Sequence, residues 1–233
     1  MTNMATNAYE TQTYDLELRK YFLSVYNNMA IGLLLSGTVA YLLSTNASLM
    51  AAIWKTNLVW VVIFAPLILS IVLMFILDAL SPYAARIFFW IFATAMGVSL
   101  SHIFIRYQIG SIAQIFFITS STFLVMSVYG YTTKKNLSSL GSFLLMGLIG
   151  IVIAGVVNIF LQSSLMAFVI SCISVLAFTL IVAYDTQQLK EIYYSTYGEE
   201  REKMGIIGAL NLYMDFINIF INLLQLIGTK NSD

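Results

Sequence analysis

Two carboxylates stand where their neighbours offer them no water. Asp185 lies near the end of the apolar run Leu165–Leu189, and Asp215 lies well inside Met204–Ile227. The other nine of the eleven acidic residues fall in tails, loops or helix ends. A carboxylate in a membrane segment is costly and usually faces a cavity, a partner or an ion path. The plainer role is a structural group hydrogen-bonded within a polar helix contact. Spacing sharpens the functional case: Asp185 lies 15 positions before Glu200 and Asp215 lies 15 after it. If the short stretch around Glu199, Glu200, Arg201 and Glu202 is a loop joining two antiparallel helices, the pair reaches similar depth. Two carboxyls that meet in a poorly solvated site hold one proton between them over an interval of pH. A shared proton clamps the helices, whereas a second negative charge separates them or invites a cation. Calcium suits such a site, because it is a hard ion that takes carboxylate and amide oxygens. Two carboxylates alone predict weak, transient metal contact at Asp185 and Asp215, with calcium as the ion moved and no resident cofactor.

Asn211, Asp215, Asn218 and Asn222 follow one another at intervals of four, three and four. That spacing places them on one face of a helix. The rest of the run is apolar, so the polar stripe is expected to point at the protein interior. Ser171, Ser174 and Asp185 share a face of the preceding helix by the same count. These asparagines and serines read equally as ion-path groups or as hydrogen-bonding glue between helices.

The elements that must hold these groups are membrane helices. Of 233 residues, 60% are hydrophobic and 9% charged, with a mean hydropathy of +0.87. Soluble domains carry roughly 25% charged residues, so a water-soluble enzyme is excluded and no catalytic residue is assigned. The net charge is zero, which gives no pull toward nucleic acid. Cys172 is the single cysteine, so neither an intramolecular disulfide nor a cysteine-rich zinc site can form. Apolar runs long enough to cross a bilayer are Tyr21–Leu43, Leu58–Leu77, Ile87–Ile105, Ile112–Tyr129, Leu140–Leu161, Leu165–Leu189 and Met204–Ile227. Hydroxyls interrupt the fourth (Thr119, Ser120, Ser121, Thr122, Ser127), so it is expected to face protein rather than lipid. Pro66 predicts a kink in the second.

Residues 1–20 are polar, lack the apolar core of a signal peptide, and read as a mobile tail leading into the first helix. Residues 21–228 form one seven-helix domain, and 229–233 a short C-terminal tail. The side with the N-terminus collects Arg19, Lys20, Arg86, Lys134, Lys135, Lys190, Arg201 and Lys203. The other side has Lys55, Arg106 and Lys230. The positive-inside bias therefore predicts a cytoplasmic N-terminus and an external C-terminus. His102 and the glycines Gly147, Gly150 and Gly155 read as packing residues, the glycines allowing close helix approach. Tyr129 and Tyr131 beside Lys134 and Lys135 read as an interfacial anchor.

The stretch YGYTTKKNLSSLGS (Tyr129–Ser142), the run AYDTQQL (Ala183–Leu189) and the last helix ALNLYMDFINIFINLL (Ala209–Leu224) resemble the Bax inhibitor-1 family, most closely its bacterial branch. The likeness extends from about Leu18 to Gly228. It implies an all-α membrane protein in which six helices surround a central, polar C-terminal seventh. It also implies a pH-sensitive calcium leak governed by an aspartate pair, which maps onto Asp185 and Asp215, in a bacterial inner membrane. Some members carry an arginine near the end of the second helix that latches onto the pair. Here that region reads Leu77-Asp78-Ala79-Leu80-Ser81-Pro82, with Arg86 the nearest basic residue.

Three other classes compete. An intramembrane aspartyl protease would share the Tyr184-Asp185 pair. It would also need glycines immediately before Asp215, where Leu212-Tyr213-Met214 stand, and a later Pro-Ala-Leu motif that is missing. A proton-coupled cation transporter would use the same carboxylates, but the inverted repeat of broken helices that marks many transporters is not evident. A non-conducting regulator would bind a membrane protease or another membrane protein through its polar N-terminal segment.

Overall fold

The computed structural model describes residues 2–76 and 79–231, which are helical almost throughout. The helices are α1 (Thr2–Ser44), α2 (Ala47–Trp54), α3 (Leu58–Ile76), α4 (Pro82–Leu100), α5 (Ile103–Arg106), α6 (Ile109–Thr132), α7 (Ser138–Leu161), α8 (Ser164–Ser195) and α9 (Gly198–Ile227). Their starts follow from local chemistry. Asn46, Ser81 and Ser163 each accept a hydrogen bond from the backbone N–H three residues on, satisfying a donor that a helix start leaves open. Pro82 fills the first position of α4, where its missing N–H costs nothing. Gly198 opens α9 at φ +57°, a conformation that glycine adopts without strain.

Among the described residues six helices are long and apolar enough to cross a membrane: Leu16–Ser44, Pro82–Arg106, Ile109–Thr132, Ser138–Leu161, Ser164–Ser195 and Gly198–Ile227. A seventh crossing exists if α2 and α3, bent by 81° at Lys55–Asn57, are one broken span. The sharp bend therefore lies ahead of the expected place, and Pro66 sits inside α3. Residues 2–20 are helical and continuous with the first candidate span, as parts of α1. Leu77 and Asp78, in the region where a latching arginine was sought, lie outside the described residues.

Contacts sort the loops into two ends. At one end Tyr193 meets Tyr21 (ring centroids 5.4 Å) and Glu17 (3.5 Å), and Arg86 binds Glu202 at 2.8 Å. At the other, Trp54 donates to Ser101 and packs on His102. There the C-terminal residues are strapped to the α5–α6 turn. Tyr107 and Lys230 form an antiparallel bridge, Gln108 N–H donates to Thr229 O (3.0 Å), and Asn231 N–H donates to Arg106 O (3.1 Å). Residues 229–231 of the expected short C-terminal tail are thus tied down. Helix α6, about 36 Å long at 1.5 Å per residue, runs from this strap to Lys134 and Lys135 at the first end.

Helix α9 packs against α1, α4, α6 and α8, and 67% of its most apolar window is buried, against 6% for α7. Its buried polar anchor is Tyr213, whose hydroxyl lies 2.6 Å from Ser36 Oγ. Ser36 donates toward Ala93 O (2.7 Å) and Gly32 O (2.8 Å). The single serine proton is thereby used, so Tyr213 must donate to Ser36, and one knot joins α1, α4 and α9.

One expectation is met in part and another fails, both instructively. The hydroxyls of α6 divide, with Thr119 and Ser127 on its buried face, Ser120 and Thr122 half-buried and Ser121 exposed. Thr119, Ser120, Ser121 and Thr122 each donate to the carbonyl four residues back, which satisfies them even against lipid. The face of α6 that is buried is the stripe Ser111, Ile115, Thr119, Phe123, Ser127 and Gly130. Close helix approach is likewise not supplied by Gly147, Gly150 and Gly155, where an added Cβ would meet nothing within 4 Å. It is supplied by Gly130, whose Cβ would overlap the Ala183 carbonyl, by Gly97 against Ser36, and by Gly208 against Leu189.

Two outcomes are expected. Gly130→Ala should destabilise the purified protein by about 1–3 kcal/mol, the usual cost of forcing atoms into a packed contact, while Gly147→Ala should leave the melting temperature unchanged. In a Cys172→Ser background, cysteines at positions 135 and 230 should react with an impermeant maleimide from opposite sides of the membrane. Labelling of both from one side would refute the two-ended arrangement.

Candidate functional site

The turn between α8 and α9 is Thr196–Tyr197. Glu199, Glu200, Arg201 and Glu202 are therefore not loop residues but the opening turns of α9, where acidic side chains favour the positive end of the helix dipole. The two arms of the hairpin are unequal, so packing of α8 on α9 sets which residues meet. Asp185 and Asp215 do come together across the α8–α9 contact, close enough for their carboxyls to interact. Asp215 is 5% exposed and Asp185 is half-buried. The outer oxygen of Asp215, Oδ2, is buried and finds no partner among the described residues.

The α8 backbone around Asp185 is held from the α6–α7 side. Gly130 of α6 seats against the Ala183 carbonyl, and Gly141 of α7 seats under the Tyr184 ring. Gln187 clamps the intervening loop with both ends of its amide, donating to Lys135 O (2.8 Å) and accepting from Leu137 N–H (2.8 Å). Lys190 lies over the Tyr131 ring at 5.4 Å. Two stretches that stood apart in the sequence, Tyr129–Ser142 and Ala183–Leu189, thus form one contact that fixes where the first aspartate stands. Sequence spacing did not reveal Gln187; a glutamine two residues from a buried acid was the available signal.

The other polar groups scatter. The asparagine stripe was expected to face inward, but only Asp215 does so. Asn211 is exposed, and Asn218 and Asn222 are half-buried. The reason is that α9 buries the side carrying Leu212, Tyr213, Phe216, Ile219 and Phe220, leaving the asparagine edge at the margin of the packing. Asn218 donates to Met214 O and Asn222 to Asn218 O, both at 2.8 Å. Their amide nitrogens are thereby used, and their side-chain oxygens remain free to accept. Ser171 and Ser174 are buried, yet they lie about four and three turns from Asp185 along α8. Ser171 donates to Gln225 on α9 (2.9 Å), so it ties the helices together away from the acid pair. Among the described residues no group of three or more His, Cys, Asp and Glu could hold a metal ion. Arg86 is committed to Glu202. His102 bonds to Ser99 O and packs on Trp54, a packing role.

Comparison with known proteins gives this geometry a context. The family model described as "Inhibitor of apoptosis-promoting Bax1" matches residues 18–232. An uncharacterised protein of Rickettsia prowazekii is 39% identical over 230 residues, covering 98% of each chain. The inner membrane protein YbhL of Escherichia coli K12 is 40% identical over 223 residues, covering 91% of this chain and 93% of the relative. An uncharacterised membrane protein of Streptococcus pyogenes is 34% identical over 227 residues, covering 93% and 96%. With a match that runs through both aspartate-bearing helices to the C-terminal strap, the chain belongs to the Bax inhibitor-1 family of membrane proteins.

Proposed function

We propose that this chain is a pH-sensitive calcium leak path of a bacterial inner membrane, gated by a proton shared between Asp185 and Asp215. Six crossings surround the polar α9, with the N-terminus cytoplasmic and the C-terminus outside. The reading rests on one observation, the approach of two carboxyls to each other on adjacent membrane helices. With one proton present the carboxyls bind each other and hold α8 on α9. When that proton leaves, two negative charges in contact repel strongly in a site that water screens poorly. Either the helices part or a cation enters between them.

Calcium is written here as cargo. Two carboxylates, without a third acidic ligand, supply enough oxygen to attract the ion and too little to retain it. The free side-chain oxygens of Asn218 and Asn222, one and two turns along α9 from Asp215, offer further transient contacts. The relative YbhL is an inner membrane protein, which supports the location.

The test is calcium flux in vesicles containing the purified full-length chain, measured across a pH series with sodium and potassium compared. Asp215→Asn keeps the shape of the side chain and removes its titration, so flux should lose its pH dependence. A single proton step changes occupancy by at most about tenfold per pH unit, which sets the steepness expected of the wild type. A wild-type pH profile surviving in Asp215→Asn would remove the pair from the mechanism.

A further inference from the structure

A second polar site lies toward the start of α9, more than two turns before Asp215. Where α1, α4 and α9 converge, a pocket of about 180 Å³ is lined by Tyr21, Ser24 and Asn28 of α1, Arg86 of α4, and Gly198, Arg201, Glu202 and Gly205 of α9. Two of its groups are left wanting. The Tyr21 hydroxyl is buried without a partner among the described residues, although the residue is only 9% exposed, and Arg86 Nε is buried without one too. Native proteins rarely leave such groups unpaired unless an ion, water or ligand completes them. Gly205 makes the space: a Cβ there would stand 2.9 Å from the Tyr21 ring.

The chemistry of the deficit identifies the ligand class. Arg86 Nε–H can only donate, and the phenol O–H is a donor as well. Of the two guanidinium groups, Arg86 spends one nitrogen on Glu202 (2.8 Å). Arg201 donates Nε to Thr196 O (2.9 Å) and lies over the rings of Tyr193 (4.1 Å) and Tyr197 (5.1 Å). The tyrosines fix the position of its charge without neutralising it. Two positive charges against the single Glu202 carboxylate leave the lining net positive. Its level in the membrane is also telling, because the pocket joins the starts of three spans, Leu16–Ser44, Pro82–Arg106 and Gly198–Ile227. That is where lipid headgroups lie.

We propose that this pocket binds a phosphate group, held by Arg86, Arg201 and the Tyr21 hydroxyl, and that it thereby pins α1, α4 and α9 together at one end of the bundle. The phosphate comes either from an anionic phospholipid or from solution, and the experiment separates the two sources. Native mass spectrometry of the full-length protein would count phosphatidylglycerol retained from mixed micelles, with diacylglycerol as the control lacking phosphate. In parallel, the melting temperature would be followed as inorganic phosphate replaces chloride at constant ionic strength.

The variants are Tyr21→Phe, which removes only the buried hydroxyl, and Arg86→Lys, which keeps the charge but loses Nε–H. Each should weaken binding roughly tenfold, the effect of losing one hydrogen bond to a charged group. Retention of phosphatidylglycerol that falls in both variants assigns a lipid headgroup. Saturable stabilisation by inorganic phosphate that falls in both, without lipid retention, assigns a soluble phosphate. Folding is controlled within the same set: removing an orphaned hydroxyl should leave ligand-free Tyr21→Phe as stable as wild type or more so. If neither probe binds wild type more tightly than it binds the two variants, the proposal is overturned.

Discussion

The hydrocarbon layer gives a polar atom no water to bond with, and nearly every polar side chain in this bundle has been placed under that constraint. Thr119, Ser120, Ser121 and Thr122 of α6 return to carbonyls of their own helix, Asn218 and Asn222 of α9 do the same with their amide nitrogens, and Ser36 and Tyr213 complete each other where three helices meet. Two carboxyls can meet that demand from each other only with a proton between them. That condition depends on pH, as the bonds of hydroxyls and amides do not, and the proposed gate rests on the difference.

Packing follows from the same solvent. Helices in lipid gain little by hiding apolar surface from one another, so close approach and interhelical hydrogen bonds carry the association. Gly130 against Ala183 and Gly97 against Ser36 bring backbones together at points that also position the candidate residues. The first lies two positions before Asp185, and the second fixes the serine to which Tyr213, two positions before Asp215, is tied. Each aspartate is thus two positions from a residue that a close helix contact holds, directly for Asp185 and through Ser36 for Asp215.

Much of this was legible in the residues. Long apolar runs announced the helices, and two carboxylates inside such runs stood out because so few charges occur there at all. What spacing could not supply was rotation. A stripe at intervals of four and three identifies one face of α9, but neighbours decide which face is buried, and α1, α4, α6 and α8 chose the aromatic side. Equal counting about Glu200 brought together two residues that the structure also places side by side, but about the wrong turn, because Gly198 lets the helix restart after only Thr196 and Tyr197. The glycines of α7 looked like contact points because composition does not reveal a partner, and that helix buries little. Gln187 escaped notice because its bonds run to backbone atoms of a loop 50 residues away.

The order of the helices along the chain has a consequence for how the molecule is made. Synthesis delivers α1 through α8 before α9, and these must sit in the bilayer without the element that four of them pack against. Ser36 has no phenol to accept from, and Asp185 has no carboxyl beside it, until α9 leaves the ribosome. Only after that can the strap from Thr229 to Asn231 close on the α5–α6 turn. The nascent protein thus passes through a stage in which eight helices are inserted yet unassembled, and maturation waits for α9 to arrive.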